Sequence, residues 1–438
     1  MMRRRSIFGL DFLLLFSTIG LMIMGVLFIY SSGVSSTGVV FSTEYVKQII
    51  WVVTGIIVLL VIGLSDYSRL REWSFYIYAF LILLLLVTLV LGKKVNGARS
   101  WLGFLSSGIG IQPSEFGKIG AILLLGSWLA SNRERAQNLG TFLVAFGIVL
   151  VPMLLILAQP DLGTALVYFP IFLIMTYVAG ARRRHVMFVL LTAALLVLFT
   201  ILSYSRELLA SGQTSIVQIV FQRDYLRYIV VAIVAVIAVA VTGGYFLKRP
   251  YFFWLAWSFS SLLSAVVGTL AVTKVLKPYQ VMRLVAFIDP QIDPRGSGWN
   301  IIQSVTAVGS GGFWGKGFLH GTQSHYRYLP QQSTDFIFSI FSEEWGFVGG
   351  AALFALFLVI FVRGLRIVSS TNDPFAAYIG SGVVGMLFFH FVVNVGMAMG
   401  IMPITGIPLT FLSYGGSSLW TALIGVGFLI NIHYRRYS

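Results

Sequence analysis

Apolar residues in this chain run in long unbroken stretches, not in the alternating or three-and-four spacing of half-buried elements. The stretches lie at 11–32, 45–64, 74–92, 116–131, 140–158, 164–180, 185–203, 228–247, 250–273, 336–362, 374–400 and 416–433. Most approach the length of about 20 residues that carries a helix through a bilayer. Lipid offers no partner to a backbone N–H or C=O, so helices that satisfy both internally are predicted. The expectation is an all-α polytopic membrane protein with twelve transmembrane helices. The first stretch follows Arg3-Arg4-Arg5 and exceeds the apolar core of a signal peptide, so it reads as a retained span. No repeat with a period of about 20–50 residues is visible. Residues 1–438 read as a single integral membrane domain.

The polar connections set the orientation. With the N-terminus inside, the cytoplasmic side receives Arg3 to Arg5, Arg69 and Arg71, Arg133 and Arg135, and Arg182 to Arg184. It also receives Lys248 and Arg249, Arg363 and Arg366, and Arg435 and Arg436. Every inner connection then carries at least two cations, as the positive-inside rule requires, and both termini are cytoplasmic. The segment 274–335 becomes a large outer loop, too long to be a mere connection. It holds Lys274, Lys277, Arg283, Arg295, Lys316 and Arg327, while Lys93, Lys94, Arg99 and Lys118 surround another outer connection. Outward cations of this kind are either simply solvated or form a surface for an anionic substrate.

Composition narrows the function classes. Apolar residues are 58% and charged residues 10% of the chain, too little charge to cover a soluble protein of this length. The net charge of +15 fits basic loops against anionic lipid and gives no reason to expect nucleic acid. There is no cysteine, which removes disulfides and thiolate chemistry, and the five histidines show no metal-ligand spacing.

In so apolar a chain, Asp335 stands out. It ends the run Leu329-Pro330-Gln331-Gln332-Ser333-Thr334-Asp335 at the mouth of a span, where a carboxylate is costly to desolvate and so has a task or a partner. Capping of the helix that follows is the plainer account of it. Glu343 and Glu344 fall roughly 80° and 180° around that helix from Asp335, which rules out a tight carboxylate pair. Glu115 and Lys118 share a helical face behind Gln112-Pro113-Ser114, as a structural pair or as substrate contacts. Asp161, in Gln159-Pro160-Asp161-Leu162-Gly163-Thr164, is placed to cap the next helix or to serve the site. The glycine-rich backbone near 296–312 and 321 can cradle phosphate oxygens but more often just makes turns. The run from Pro403 to Ser418 reads as an irregular re-entrant stretch near the outer face.

Together these runs closely resemble the SEDS family of bacterial cell-wall polymerases. The resemblance covers nearly the whole chain. It rests on Gly97-Ala98-Arg99-Ser100-Trp101, Gln112-Pro113-Ser114-Glu115 with Lys118, and Ala158 to Thr164. It also rests on Asp293 to Gly298 with Ile301-Ile302-Gln303-Ser304, Thr334-Asp335-Phe336-Ile337-Phe338, and Gly406 to Leu409 with Ser413 to Ser417. The run His320-Gly321-Thr322-Gln323-Ser324 looks like that of the elongation-type members. The resemblance implies a multi-pass protein of the bacterial cytoplasmic (inner) membrane that polymerises lipid II into glycan strands at the outer face. It implies a class B penicillin-binding protein as partner and Asp335 as the catalytic residue. Two departures stand out. Gln331 and Ser333 replace a common glutamate and histidine, and twelve spans replace ten, the surplus being a hairpin near 228–273.

The expected chemistry is an inverting glycosyl transfer from glycan on undecaprenyl pyrophosphate to the 4-hydroxyl of lipid II. Pyrophosphate leaves readily, so a single base, Asp335, suffices where glycosidases use two carboxylates. Arg99, Lys118 and Arg283 are the expected cations. Glu115, Asp161, Gln303 and Lys316 complete the candidate substrate-binding set. No protein metal site is expected, although a divalent cation (Mg or Mn) on the substrate pyrophosphate stays open. The competing classes are a flippase or exporter of lipid-linked precursors and a non-catalytic scaffold for the penicillin-binding protein.

Overall fold

A computed structural model describes residues 10–95, 97–103, 110–208 and 223–435. Arg3 to Arg5, Asn96 and Arg436 lie outside the described residues. Helices dominate. In chain order the first seven are α1 (Phe12–Ser32), α2 (Glu44–Leu64), α3 (Tyr67–Leu91), α4 (Pro113–Ser131), α5 (Leu139–Ala158), α6 (Leu162–Val178) and α7 (Arg183–Leu208). Next come α8 (Arg223–Leu247), α9 (Pro250–Val275), α10 (Pro278–Ile288), α11 (Ser297–Ser310) and the single turn α12 (Thr322–His325). The last three are α13 (Ile337–Ser370), α14 (Pro374–Ala398) and α15 (Gly416–Arg435).

Each of the twelve predicted spans has its helix. Ten of them are long and apolar enough to cross a membrane; α6 is shorter, and α4 is diluted by Glu115 and Lys118. In α14 and α15, 72% of the most apolar window is buried, against 11% in α7 and α8. The former two are therefore the hub, and the latter two present apolar faces outward, as lipid-facing helices do. The predicted surplus hairpin, α8 with α9, packs against α7 through α9 at the rim of the bundle.

Contacts sort the connections into two ends. Arg363 pairs with Asp11, Arg435 with Asp66, and Arg71 reaches Ser131 at the end the charge bias assigns to the cytoplasm. At the other end, Arg99 N donates to Gln159 O and Tyr279 Oη to Pro160 O. A small antiparallel sheet of β1 (Lys93–Val95), β2 (Ala98–Gly103) and β3 (Gly110–Ile111) covers that end. The long loop is ordered by α10, α11 and α12, in keeping with its Gly, Trp and Pro content.

The structure corrects one local expectation. Asp335 does not cap α13: the cap position is Phe336, and no side chain bonds there. A second feature was not foreseen. The helix α13 is broken at Gly346 (φ 60°, ψ −158°), where a Cβ would run into the backbone of Gly312, Trp314 and Gly315. Above the break, Glu343 Oε1 accepts from Lys316 Nζ at 2.7 Å and Thr322 N at 2.8 Å. Glu344 accepts from Ser31 and from Leu319 N. These bonds fasten 312–325 to the top of α13. Gly346→Ala combines a forbidden backbone angle with a steric clash, so it should destabilise the fold by at least about 1–3 kcal/mol. Thermal unfolding of the purified protein checks this, and an unchanged midpoint would contradict the described break.

Candidate active site

The site forms where the ends of α4, α6, α10 and α14 opposite the basic connections meet the segment 403–415. Asp335 is half-buried and its backbone is tightly held. Its N donates to Gln331 O at 3.0 Å, and its carbonyl accepts from Asn394 Nδ2 at 2.9 Å. Asn394 also donates to Ile407 O at 2.8 Å, which draws 403–415 against the Asp335 loop. Gly406, at φ 74°, sits near two charges. A Cβ built on it would lie 3.6 Å from Asp335 Oδ2 and 3.7 Å from an Arg283 guanidinium nitrogen. The candidate base and a candidate cation therefore both lie close to one left-handed glycine, although 52 positions separate them. Burial raises the Asp335 pKa above 3.8; the Thr334 hydroxyl and Arg283 oppose the shift, while Asp161 adds to it.

Arg283 is aimed by its helix. Its guanidinium stacks 5.7 Å from the Tyr279 ring, one turn earlier on α10. Tyr279 Oη and Gln280 Nε2 each donate to Pro160 O at 3.2 Å, which docks α10 on the turn before α6. Asp161 takes up the capping role expected of it and also holds Gln112. Its Oδ1 caps α6 by accepting from Thr164 N at 3.1 Å, and its Oδ2 accepts from Gln112 Nε2 at 3.0 Å. Burial raises its pKa as well, against the Thr164 bonds.

Glu115 and Lys118 form the predicted pair at 2.7 Å, but deep in the bundle, with Lys118 wholly buried. The structure puts this cation beneath the site and not on its surface. Arg99 is exposed on β2. Gln303 is half-buried on α11, and Lys316 stands apart with Glu343. Sequence reading had set no role on Gln112, Thr164, Tyr279, His390 or Asn394. The spacing of His390 and Asn394 was the available signal, since polar residues four apart in an apolar span share a face. Gln331 and Ser333 accept through their main-chain carbonyls from Asp335 N and Tyr414 N, and the Gln331 side-chain oxygen also lies 3.4 Å from Thr334 Oγ1. Replacing a glutamate and a histidine at those positions leaves such bonds intact.

Comparisons with known proteins show the family. The family model for the cell cycle proteins FtsW, RodA and SpoVE matches residues 12–216 and 208–438. The peptidoglycan glycosyltransferase RodA of Treponema pallidum is 48% identical over 99% of this chain and 100% of its own length. Stage V sporulation protein E of Bacillus subtilis is 32% identical, covering 98% of each chain. A solved peptidoglycan synthase complex that coordinates polymerization and crosslinking contains a chain of TM-score 0.66 and 26% identity, covering 98% of this one and 99% of its own. The Thermus thermophilus RodA structure, at TM-score 0.60, 23% identity and 98% coverage of both chains, shares the fold. On this full-length match, the chain belongs to the FtsW, RodA and SpoVE family of cell cycle proteins.

Proposed function

We propose that the protein is a peptidoglycan glycosyltransferase of the elongation type that polymerises lipid II at the outer face of the bacterial inner membrane. The observation that carries this reading is Asp335 and Arg283 brought together beside Gly406, at the end of the bundle opposite the basic loops. Asp335 accepts the proton of the acceptor 4-hydroxyl as that oxygen attacks the anomeric carbon of the donor sugar. The new glycosidic bond forms with inversion, the bond to the pyrophosphate oxygen breaks, and undecaprenyl pyrophosphate departs. Charge developing on the diphosphate is met by Arg283, with exposed Arg99 on the adjoining sheet. Among the described residues no three His, Cys, Asp or Glu side chains gather to hold a metal ion. A divalent cation (Mg or Mn) would arrive on the pyrophosphate. A class B penicillin-binding protein is the proposed partner, which would cross-link strands as they emerge.

Asp335 keeps more free acceptor capacity than Asp161. The Asp161 carboxylate is taken up by Thr164 and Gln112, whereas Asp335 is fixed mainly through its backbone. That difference favours Asp335 as the base.

Asp335→Asn in purified protein should lower lipid II polymerisation by at least about 100-fold, the ordinary worth of a positioned base. Strand growth at the wild-type rate, or translocation of labelled lipid II without strand growth in wild type, would exclude the assignment. The base works deprotonated, so activity should fail as pH falls through its raised pKa. The acid limb of kcat/KM should therefore lie above 3.8. Removing the Asp161 charge with Asp161→Asn should move that limb to lower pH, because that charge raises the Asp335 pKa. A limb unmoved or shifted upward would separate the two carboxylates.

A further inference from the structure

The chemistry above gives no task to the ion pair under the site, nor to the imidazole that touches it. His390 is buried on α14, with Nδ1 3.2 Å from Pro408 O and Nε2 3.2 Å from Lys118 Nζ. A carbonyl oxygen only accepts, so Nδ1 carries the hydrogen. Lys118, paired to Glu115 at 2.7 Å, is an ammonium and only donates, so Nε2 offers its lone pair. The ring is therefore neutral and held in one tautomer. A further proton on Nε2 would face a cation with no acceptor between them.

One turn along the same helix face, Asn394 Nδ2 bonds Ile407 O and the Asp335 carbonyl. Hydrogen bonds thus run from Glu115 through Lys118 and His390 to Pro408. They resume at its neighbour Ile407 and pass through Asn394 to Asp335. Gly406, which lies close to both the Asp335 carboxylate and Arg283, directly precedes the two residues so gripped.

We infer that His390 is a positioning residue for glycosyl transfer. By bridging Lys118 to Pro408 it holds 405–408 in place, and with that segment the spacing of Asp335 and Arg283. The inference rests on the reading of Asp335 as base. An imidazole suits the task because it presents a donor and an acceptor in opposite directions on a rigid ring. Leucine at this position would strand both the ammonium and the Pro408 carbonyl.

The test compares lipid II polymerisation by the full-length purified wild type, His390→Leu, His390→Gln and Asp335→Asn. Misplacement of a reacting group by about 1 Å costs on the order of 100-fold. His390→Leu should lose kcat to that extent with KM little changed. His390→Gln, whose amide both donates and accepts, should recover most of kcat. A second readout needs no activity. The chain has no cysteine, so Thr405→Cys supplies a unique thiol in the gripped segment. Its reaction with a membrane-impermeant maleimide should quicken in the His390→Leu background and stay at the parent rate in His390→Gln. Wild-type kcat in His390→Leu, or equal losses in the Leu and Gln variants, would overturn the inference while an inactive Asp335→Asn upheld the base. An active Asp335→Asn would instead remove the reading beneath it. If His390→Leu does not fold, His390→Asn, too short to reach both partners, takes its place under the same criteria.

Discussion

The pairing of Lys118 with Glu115, 2.7 Å apart and out of reach of solvent, is the constraint on which the site depends. Moving an ion from water into a protein interior costs several kcal/mol even after relaxation, and attraction offsets this only when geometry and further hydrogen bonds are good. The ammonium therefore needs α4, α14 and the segment 403–415 to stay in register, because its second partner, His390, is itself bonded to Pro408. A change that loosens any of the three leaves a buried charge without its shell. The same economy governs the outer loop. Glu343 and Glu344, both fully buried, draw Lys316, Thr322, Gln323, Leu319 and Ser31 onto the top of α13.

These two buried charge clusters divide the work. The one under 403–415 bears on Asp335 and Arg283, and the one above Gly346 holds 312–325 against α1 and α13. Neither puts a carboxylate where the chemistry is proposed. The proposed base is left to a loop, fixed by its amide and carbonyl so that its side chain remains available. Backbone anchorage by their carbonyls does not depend on the side chains of Gln331 and Ser333.

The bundle is uneven in its burial, and that asymmetry suits its architecture. The hub helices α14 and α15 bury most of their surface, while α7 and α8 leave theirs to lipid. Lipid is as apolar as a leucine side chain, so exposed apolar faces cost nothing there. Small residues let hub helices approach closely. A Cβ on Gly25 would meet the backbone of Phe411 and Leu412, and one on Gly163 would meet Thr405 O. Both contacts press the 403–415 segment into the bundle from sides other than His390.

Unbroken apolar runs were enough to determine the helices and the hairpin at 228–273, because lipid enforces that rule locally along the chain. Asp335 was legible for the same reason: a carboxylate at a span mouth is a local anomaly. The closeness of Asp335 to Arg283 and the descent of Lys118 below the surface were decided only by tertiary structure. So were the break at Gly346 and the linking of His390 and Asn394 to a segment 13 to 18 residues onward. Each depends on which helix faces meet. In a chain where nearly every face is apolar, hydrophobicity does not discriminate among those faces, and the few buried polar groups select the packing instead.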